Sequence, residues 1–570
     1  MMDFLLPEAQ QKYEQALAQL EERSIIKRIW EHDHTVWDPD PAEITNRLGW
    51  LDISEVMKGS LSRMYAFRDS LRNDGYQRVV LLGMGGSSLA PDVFRRTFGV
   101  RDGFPVLEVL DTTHPNAIHA VSSNLDYQKT AFIVATKSGT TVETLSLFRY
   151  FYNRLGSVVS EDEIGEHFIA ITDPGSPLVG IAETHNFREI FINDPDIGGR
   201  YSALSFFGLV PAAIIGVDLE RLLEEASRAR SSSRLDSEPG ENHAAQLGTI
   251  LGVCEKMGRD KLTFLMSEKV APLGDWVEQL IAESTGKKGK GILPVVGEPI
   301  GEPGVYGPDR IFIHVRWWDD PSLDSFVSSL TAAGHPVVRF EVEDLASLGG
   351  LFYLWEMATA VAGFWLGINP FDQPNVESAK NRAKEMVAAY REQGELPAED
   401  AAFVSEHLAL YYDAPGGSER DGANGGDDLA SVLRTFIRSG AEDGYLSIQA
   451  YLPPSAEVTR QLRDIQGRVR DGTGAATTVG YGPRFLHSTG QLHKGDAGKG
   501  LFLQLTDEKK ASLEIPDKAG SPSSSITFNT LIDAQAMGDR RALVDAGRSV
   551  IRIHIMDDLF SAFDTIREAI

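Results

Sequence analysis

QRVVLLGMGGSSLAP, residues 77–91, decides how this chain is read. A short apolar run ends in glycine and passes into LAPDVFRRTFG, which has helical texture. Strand, glycine turn and helix in that order make the repeating unit of a doubly wound sheet. The same texture recurs downstream. FPVLEVLD (104–111), TAFIVAT (130–136) and EHFIAITD (166–173) read as buried parallel strands, with VETLSLFRYFYNRLG as an intervening helix. A second strand set, RIFIHVRW (310–317) and PVVRFEVE (336–343), precedes a long helix over about 349–367. The fold class expected is α/β, with two doubly wound parallel-sheet domains.

Upstream, residues 1–75 place apolar positions at helical spacing and predict a helical lead-in that starts from the first residues. Downstream, GGSERDGANGGDD (416–428) reads as a flexible connection and DKAGSPSSS (517–525) as a disordered patch. Between and beyond them YLSIQAYL, TTVGYG, GLFLQLT and SVIRIHI read as strands, so the tail is expected to be folded.

Composition sets outer limits. A chain of 570 residues, 42% hydrophobic and 24% charged, suits a globular protein of two or three cores. A formal charge of −27 disfavours nucleic acid and anionic membrane as partners. Any anionic ligand must then be neutralised locally by backbone N–H groups and a few cations. The single cysteine, Cys254, forms no intramolecular disulfide, and the N-terminus lacks a secretory pattern, so a cytoplasmic location is expected. LSFFGLVPAAIIGVDL (204–219) is broken by Pro211 and predicts a buried helix rather than a membrane span.

Two strand-to-helix loops carry candidate chemistry. In GMGGSSLAP (83–91), Gly86 and Ser87 let backbone approach an anion at a helix N-terminus. In TKSGTTVET (136–144), Ser138, Thr140 and Thr141 supply hydroxyl donors and Gly139 a tight turn, ahead of a helix whose dipole favours phosphate. Without a Walker lysine, this loop suits a sugar phosphate better than a nucleotide. The plainer reading of the same hydroxyls is an N-cap cluster, since Ser and Thr are ordinary caps.

These two loops resemble those of the phosphoglucose isomerases, which have the sugar isomerase (SIS) fold. Three further segments extend the resemblance in family order over about residues 78–390. GGRYSALSFFGLVP (198–211) maps Arg200 beside the reacting carbons. EQLIAESTGKKGKG (278–291) maps the catalytic glutamate onto Glu283 and a substrate contact onto Gln279. NPFDQPNVESAK (369–380) maps Gln373 and the active-site lysine, Lys380. Thr136 and Lys137 join Gly86, Ser87, Ser138, Gly139, Thr140 and Thr141 as substrate-binding positions.

One departure stands out. The family's catalytic histidine, often within a sequence like LHSxGQ, belongs after the glutamate segment, yet ILPVVGEPIGEPGVYGPD (292–309) contains none. LHSTGQ occurs instead within GPRFLHSTGQLHKG (482–495), which makes His487 the displaced histidine and His493 the fallback. The layout resembles the isomerase half of bacterial transaldolase/phosphoglucose isomerase fusions, with no transaldolase barrel. It implies 1–75 as a helical segment, 76–230 as a first SIS-type domain and 231–300 as a helical connection carrying Glu283. Residues 301–397 form a second SIS-type domain, and 398–570 complete it.

The implied activity is the reversible isomerisation of glucose 6-phosphate and fructose 6-phosphate, without cofactor or metal, by a homodimer acting on a small sugar phosphate. Two alternatives remain open at this point. A dual phosphoglucose/phosphomannose isomerase would turn over mannose 6-phosphate at a rate within about tenfold of the glucose ester. A non-catalytic sugar-phosphate sensor would have no need of Glu283, Lys380 and His487 together.

Overall fold

The structure is a computed structural model that describes residues 2–234, 241–397, 399–413, 429–440 and 444–570. The expected connection at 416–428 lies outside the described residues.

The opening motif forms the strand Arg78–Gly83, second in a five-stranded sheet. Across that sheet the strands run Val106–Leu110, Arg78–Gly83, Thr130–Ala135, Phe168–Thr172 and Glu189–Ile192, all parallel. Thr130–Ala135 is buried throughout, which explains a continuous apolar run where a half-exposed strand would alternate. The order reverses at Arg78–Gly83, so the carboxyl ends of Arg78–Gly83 and Thr130–Ala135 open into the crevice where such sheets bind ligands. Both glycine-bearing loops leave from there.

A second five-stranded sheet runs Met2–Leu5, Val337–Val342, Arg310–Trp317, Lys261–Met266 and Leu293–Val295. Its last four strands are parallel, and Met2–Leu5 pairs antiparallel with Val337–Val342. Two expectations are corrected here. The first residues form an edge strand ahead of helix Gln10–Glu22, because Pro7 separates the two. Residues 231–300 are more than a helical connection: KLTFLM and LPV are strands of the second sheet, too short to stand out between helices.

The tail corrects a third expectation. Its strands do not complete the second sheet but form a six-stranded sheet of their own, in the order Phe403–Val404, Leu408–Asp413, Ser549–Ile555, Gly500–Asp507, Tyr445–Tyr451 and Ala476–Tyr481. The last four are mutually parallel, and Leu408–Asp413 is antiparallel to Ser549–Ile555. This sheet builds a separate core under helices Leu429–Ser439, Ala456–Thr473 and Leu559–Ala569, around Leu433, Ile448, Leu462, Ile553 and Phe563. Strands that bury their apolar side chains under their own helices need no further sheet to pair with. The patch at 517–525 is also ordered. It turns the hairpin Glu514–Pro516/Ser524–Thr527, and Asn153 Nδ2 donates to Ser521 O at 2.6 Å.

Helix Leu348–Leu366 packs against helices Leu219–Ser232, His243–Lys256 and Leu273–Thr285 and is buried on all faces, with Glu356 its one charged residue. It belongs to the one segment among the described residues, Leu345–Leu366, long and apolar enough to cross a membrane, and 78% of that stretch is buried inside the protein. LSFFGLVPAAIIGVDL, expected as a buried helix, contains the fully buried helix Phe206–Ile214.

Candidate active site

At the carboxyl end of Arg78–Gly83 the first glycine loop is met by the turn carrying Arg200, by helix Leu273–Thr285 and by the tail's turn at Arg484–His487. Close approach there depends on glycine. A Cβ on Gly86 would lie 2.0 Å from Gly199 O, so GMGGSS rests directly on the turn that carries Arg200. Gly85, at φ +54°, would put a Cβ 2.7 Å from His487 O and 2.9 Å from His487 Cβ. The tail's LHSTGQ turn is thus seated on the first glycine loop.

Arg200 is buried and fully engaged. Its Nε donates to Ser284 Oγ at 2.8 Å, Nη1 to Gln373 Oε1 at 3.0 Å, and Nη2 to Pro370 O at 2.8 Å and Asp372 O at 2.9 Å. Nη1 also lies 3.1 Å from Glu283 Oε1. Glu283 stands near the end of helix Leu273–Thr285, with Gln279 one turn earlier on the same face. Gln279 Nε2 donates to Glu283 Oε2 at 3.0 Å and to His487 O at 2.8 Å. Gln279 Oε1 is buried without a hydrogen-bond partner among the described residues.

His487 reaches this cluster from its own chain. Its Nε2 lies 2.9 Å from Glu143 Oε1, which also accepts from Gln535 Nε2 at 2.7 Å. Gln535 is oriented in turn by Thr113 Oγ1, which donates to its Oε1 at 2.8 Å. Burial pushes the Glu143 carboxyl up, but the charge and hydrogen bond of His487 outweigh that, and the group lies below its ordinary value. His493, the fallback, is a core residue: buried among Phe485, Phe502 and Tyr445, it is held well below the ordinary imidazole range by desolvation.

The second loop lines a cleft of about 650 Å³ with His487 and Lys380. Gly139 adopts φ +66°, and a Cβ there would meet Leu178 N at 2.8 Å. Ser138 Oγ and Thr140 Oγ1 are 2.9 Å apart at the mouth, and Thr136 Oγ1 and Thr141 Oγ1 are 2.8 Å apart beneath. Two expected residues stand apart from the central cluster. Lys137 pairs with Asp173 and donates to Pro195 O at 3.0 Å. Lys380, on helix Val376–Gln393, bonds Glu377 Oε1 at 2.9 Å and touches neither Glu283 nor His487.

Three contributors carried no assigned role in the sequence. Glu143 sits inside the TKSGTTVET motif, where a carboxylate in the first helical turn reads as a complement to the dipole. Lys287, inside the glutamate segment, donates to Asp372 Oδ1 at 2.7 Å; burial, helped by Arg200, lowers its ammonium to about 7. Gln535 had no signal at all, being brought in from helix Phe528–Asp545.

Paired glycine-bearing loops at the carboxyl ends of a parallel sheet, beside a buried carboxylate–guanidinium pair, define an α/β protein built around a small anionic ligand. Comparison with known proteins makes this specific. The phosphoglucose isomerase family profile matches residues 59–293. The glucose-6-phosphate isomerase of Rubrobacter xylanophilus is 30% identical over 361 residues, which cover 55% of this chain and 83% of that protein. That of Mycoplasmopsis pulmonis is 27% identical over 379 residues, covering 59% of this chain and 88% of its own. The chain belongs to the phosphoglucose isomerase family.

Solved structures agree on the fold. A hypothetical protein from Thermus thermophilus superposes with a TM-score of 0.59 at 24% identity, over 68% of this chain and all of that one. A glucose-6-phosphate isomerase from Chlamydia trachomatis superposes with a TM-score of 0.56 at 20% identity, over 67% of this chain and 86% of its own.

Proposed function

We infer that this chain catalyses the reversible isomerisation of D-glucose 6-phosphate and D-fructose 6-phosphate, an aldose–ketose interconversion. The observation that carries the assignment of residues is the Gln279 amide. It binds the Glu283 carboxylate and the His487 carbonyl at once, so a candidate base and a candidate ring-opening group share one anchor.

The reaction must open the sugar ring, move a proton between C1 and C2 and stabilise the enediolate formed on the way. Glu283 takes the proton from one carbon and returns it to the other. Its ion pair with Arg200 at 3.1 Å and its bond from Gln279 at 3.0 Å fix where the carboxylate of such a base stands. Arg200 stays charged throughout and stabilises the enediolate oxygens.

His487 exchanges protons with the ring and anomeric oxygens. Glu143, 2.9 Å from its Nε2, orients the imidazole. Lys380 assists from the cleft wall. Gly86, Ser87, Thr136, Lys137, Ser138, Gly139, Thr140 and Thr141 anchor the phosphate, while Gln279 and Gln373 contact the sugar. The unpartnered Gln279 Oε1 is suited to accept from a sugar hydroxyl. Binding energy from the remote phosphate then orients C1 and C2 against the base.

This reading also takes the protein as cytoplasmic and as a homodimer, and sedimentation of the purified chain tests the second of these directly. For the chemistry, the test is a coupled fructose 6-phosphate to glucose 6-phosphate assay with EDTA present. Wild type is expected to be active, Glu283→Gln nearly inactive and His487→Ala strongly impaired. Full activity in His487→Ala would remove the tail histidine from the mechanism, and an inactive wild type would remove the reaction itself.

A further inference from the structure

The cleft continues past the phosphate loop. One wall is helix Val142–Leu155, the other helix Val376–Gln393, and the hairpin at Ile515–Pro516 closes the third side. Along these walls stand three cations that the isomerase site does not use, Arg149, Lys384 and Arg391. At about 1.5 Å rise per residue, Arg149 lies about 10 Å along its helix from Val142, and Arg391 about 16 Å along the facing helix from Lys380. Arg149 therefore stands about two helical turns beyond the loop that carries Ser138 and Thr140, and Arg391 about three turns beyond Lys380.

Neighbouring cations on the second wall are paired with carboxylates: Lys380 binds Glu377, and Arg382 binds Asp545. Arg149, Lys384 and Arg391 differ: among the described residues none of them makes a hydrogen bond or an ion pair. Longer-range attraction from Asp517 reaches the two arginines, and from Glu377 the lysine.

The acids of the cleft do not neutralise the trio at close range. Glu143 is held by His487, Glu377 by Lys380, and Asp517 accepts from Ser525 N at 3.0 Å, leaving exposed Glu392. Burial holds the half-buried Arg149 guanidinium below its ordinary value; Asp517 opposes this and Arg391 adds to it. A cation half-removed from water and facing another cation is stabilised by an anion between them.

We propose that this outer part of the cleft is a second anion site, separate from the sugar-phosphate loop, which holds a phosphoryl group between Arg149 on one wall and Lys384 and Arg391 on the other. The inference goes beyond the isomerase reading and does not depend on it. Guanidinium groups present paired N–H donors to phosphoryl oxygens, and the lysine adds a point charge. Bridging the walls replaces repulsion between Arg149 and Arg391 by attraction to a shared anion. It thereby draws the helix that carries Lys380 towards the first sheet.

The test is calorimetric titration of the purified full chain with inorganic phosphate, and separately with 3-phosphoglycerate, at constant ionic strength. Each titration is repeated in the presence of an equilibrium mixture of the two hexose phosphates. One phosphoryl ligand per chain is expected to persist when the sugar phosphates are saturating. Its affinity should fall about tenfold or more in Arg149→Gln and in Arg391→Gln. Lys384→Gln, at an exposed position, provides a variant with little risk to folding, and a weaker loss is expected there. The tighter of the two probes identifies the source as free phosphate or a phosphorylated metabolite. A single site that the hexose phosphates displace, or a second site indifferent to all three substitutions, would overturn the proposal. Basal isomerase activity in phosphate-free buffer, expected unchanged in these variants, reports separately on the isomerase reading.

Discussion

Gly86→Ala probes the contact on which the whole site rests. The new Cβ would sit 2.0 Å from Gly199 O and 2.3 Å from Gly199 C. Backbone faces backbone here, so no side chain can rotate to make room. Ordinary contact begins near 3.4 Å, and the two loops must therefore separate by about 1.4 Å. Arg200 follows Gly199 directly and would be carried with it, away from Ser284, Gln373 and the carbonyls of Pro370 and Asp372. Overpacking of this kind costs about 1–3 kcal/mol in stability. A displacement of about 1 Å at a catalytic group costs on the order of 10²-fold in rate. The coupled isomerase assay and thermal unfolding measure the two effects. Gly180→Ala is the control, since its Cβ meets nothing within 4 Å and lies in helix Pro177–Thr184, where alanine is the better helix former. A Gly86→Ala enzyme with kcat within twofold of wild type and an unchanged melting temperature would refute this account of how Arg200 is positioned.

Glu143→Gln keeps the shape behind His487 but removes its charge, and kcat is expected to fall about 10- to 10²-fold, with partial recovery in Glu143→Asp. Because the folded Glu143 carboxyl lies below its unfolded value, its contribution to stability is present above about pH 4.3 and is lost as pH falls through the folded value; urea titrations of wild type and variant between pH 3 and 6 should diverge accordingly. Glu356 has the opposite sign. It is fully buried with both oxygens unpartnered, and burial raises it well above the ordinary value, so stability is full below about pH 4.3 and falls by about 1.4 kcal/mol per pH unit until the folded value is reached. Glu356→Gln should remove that slope above pH 5 in denaturant unfolding, and an unaltered slope would show that the carboxyl ionises in the folded protein.

The strand-and-loop texture of residues 77–173 made four of the first sheet's five strands legible, because a strand buried on both faces must be written as an apolar run and a close turn as glycine; the edge strand Glu189–Ile192 was not among them. The same local constraint made both candidate loops legible, whereas Arg200, Gln279 and Glu283 were named only through the resemblance of the contiguous motifs that hold them. Local sequence could not reveal that Met2–Leu5 is an edge strand, since its partner Val337–Val342 lies over 330 residues away. Nor could it show that the tail would pair with itself: its strands are as apolar as those of the second sheet, and the choice depends on which helices cover them.

The site divides in the same way. His487 was visible as a motif out of place, but its contact with Glu143, and Glu143's with Gln535, join positions hundreds of residues apart that share no spacing rule. Lys380 lay in a motif as clear as that of Glu283, yet folding leaves it on Glu377 at the cleft wall. Sequence determines which groups are available and which short segments bend to present them. Only packing of the three sheets decides which of those groups meet, because their contacts are made by side chains whose separation along the chain carries no energy of its own.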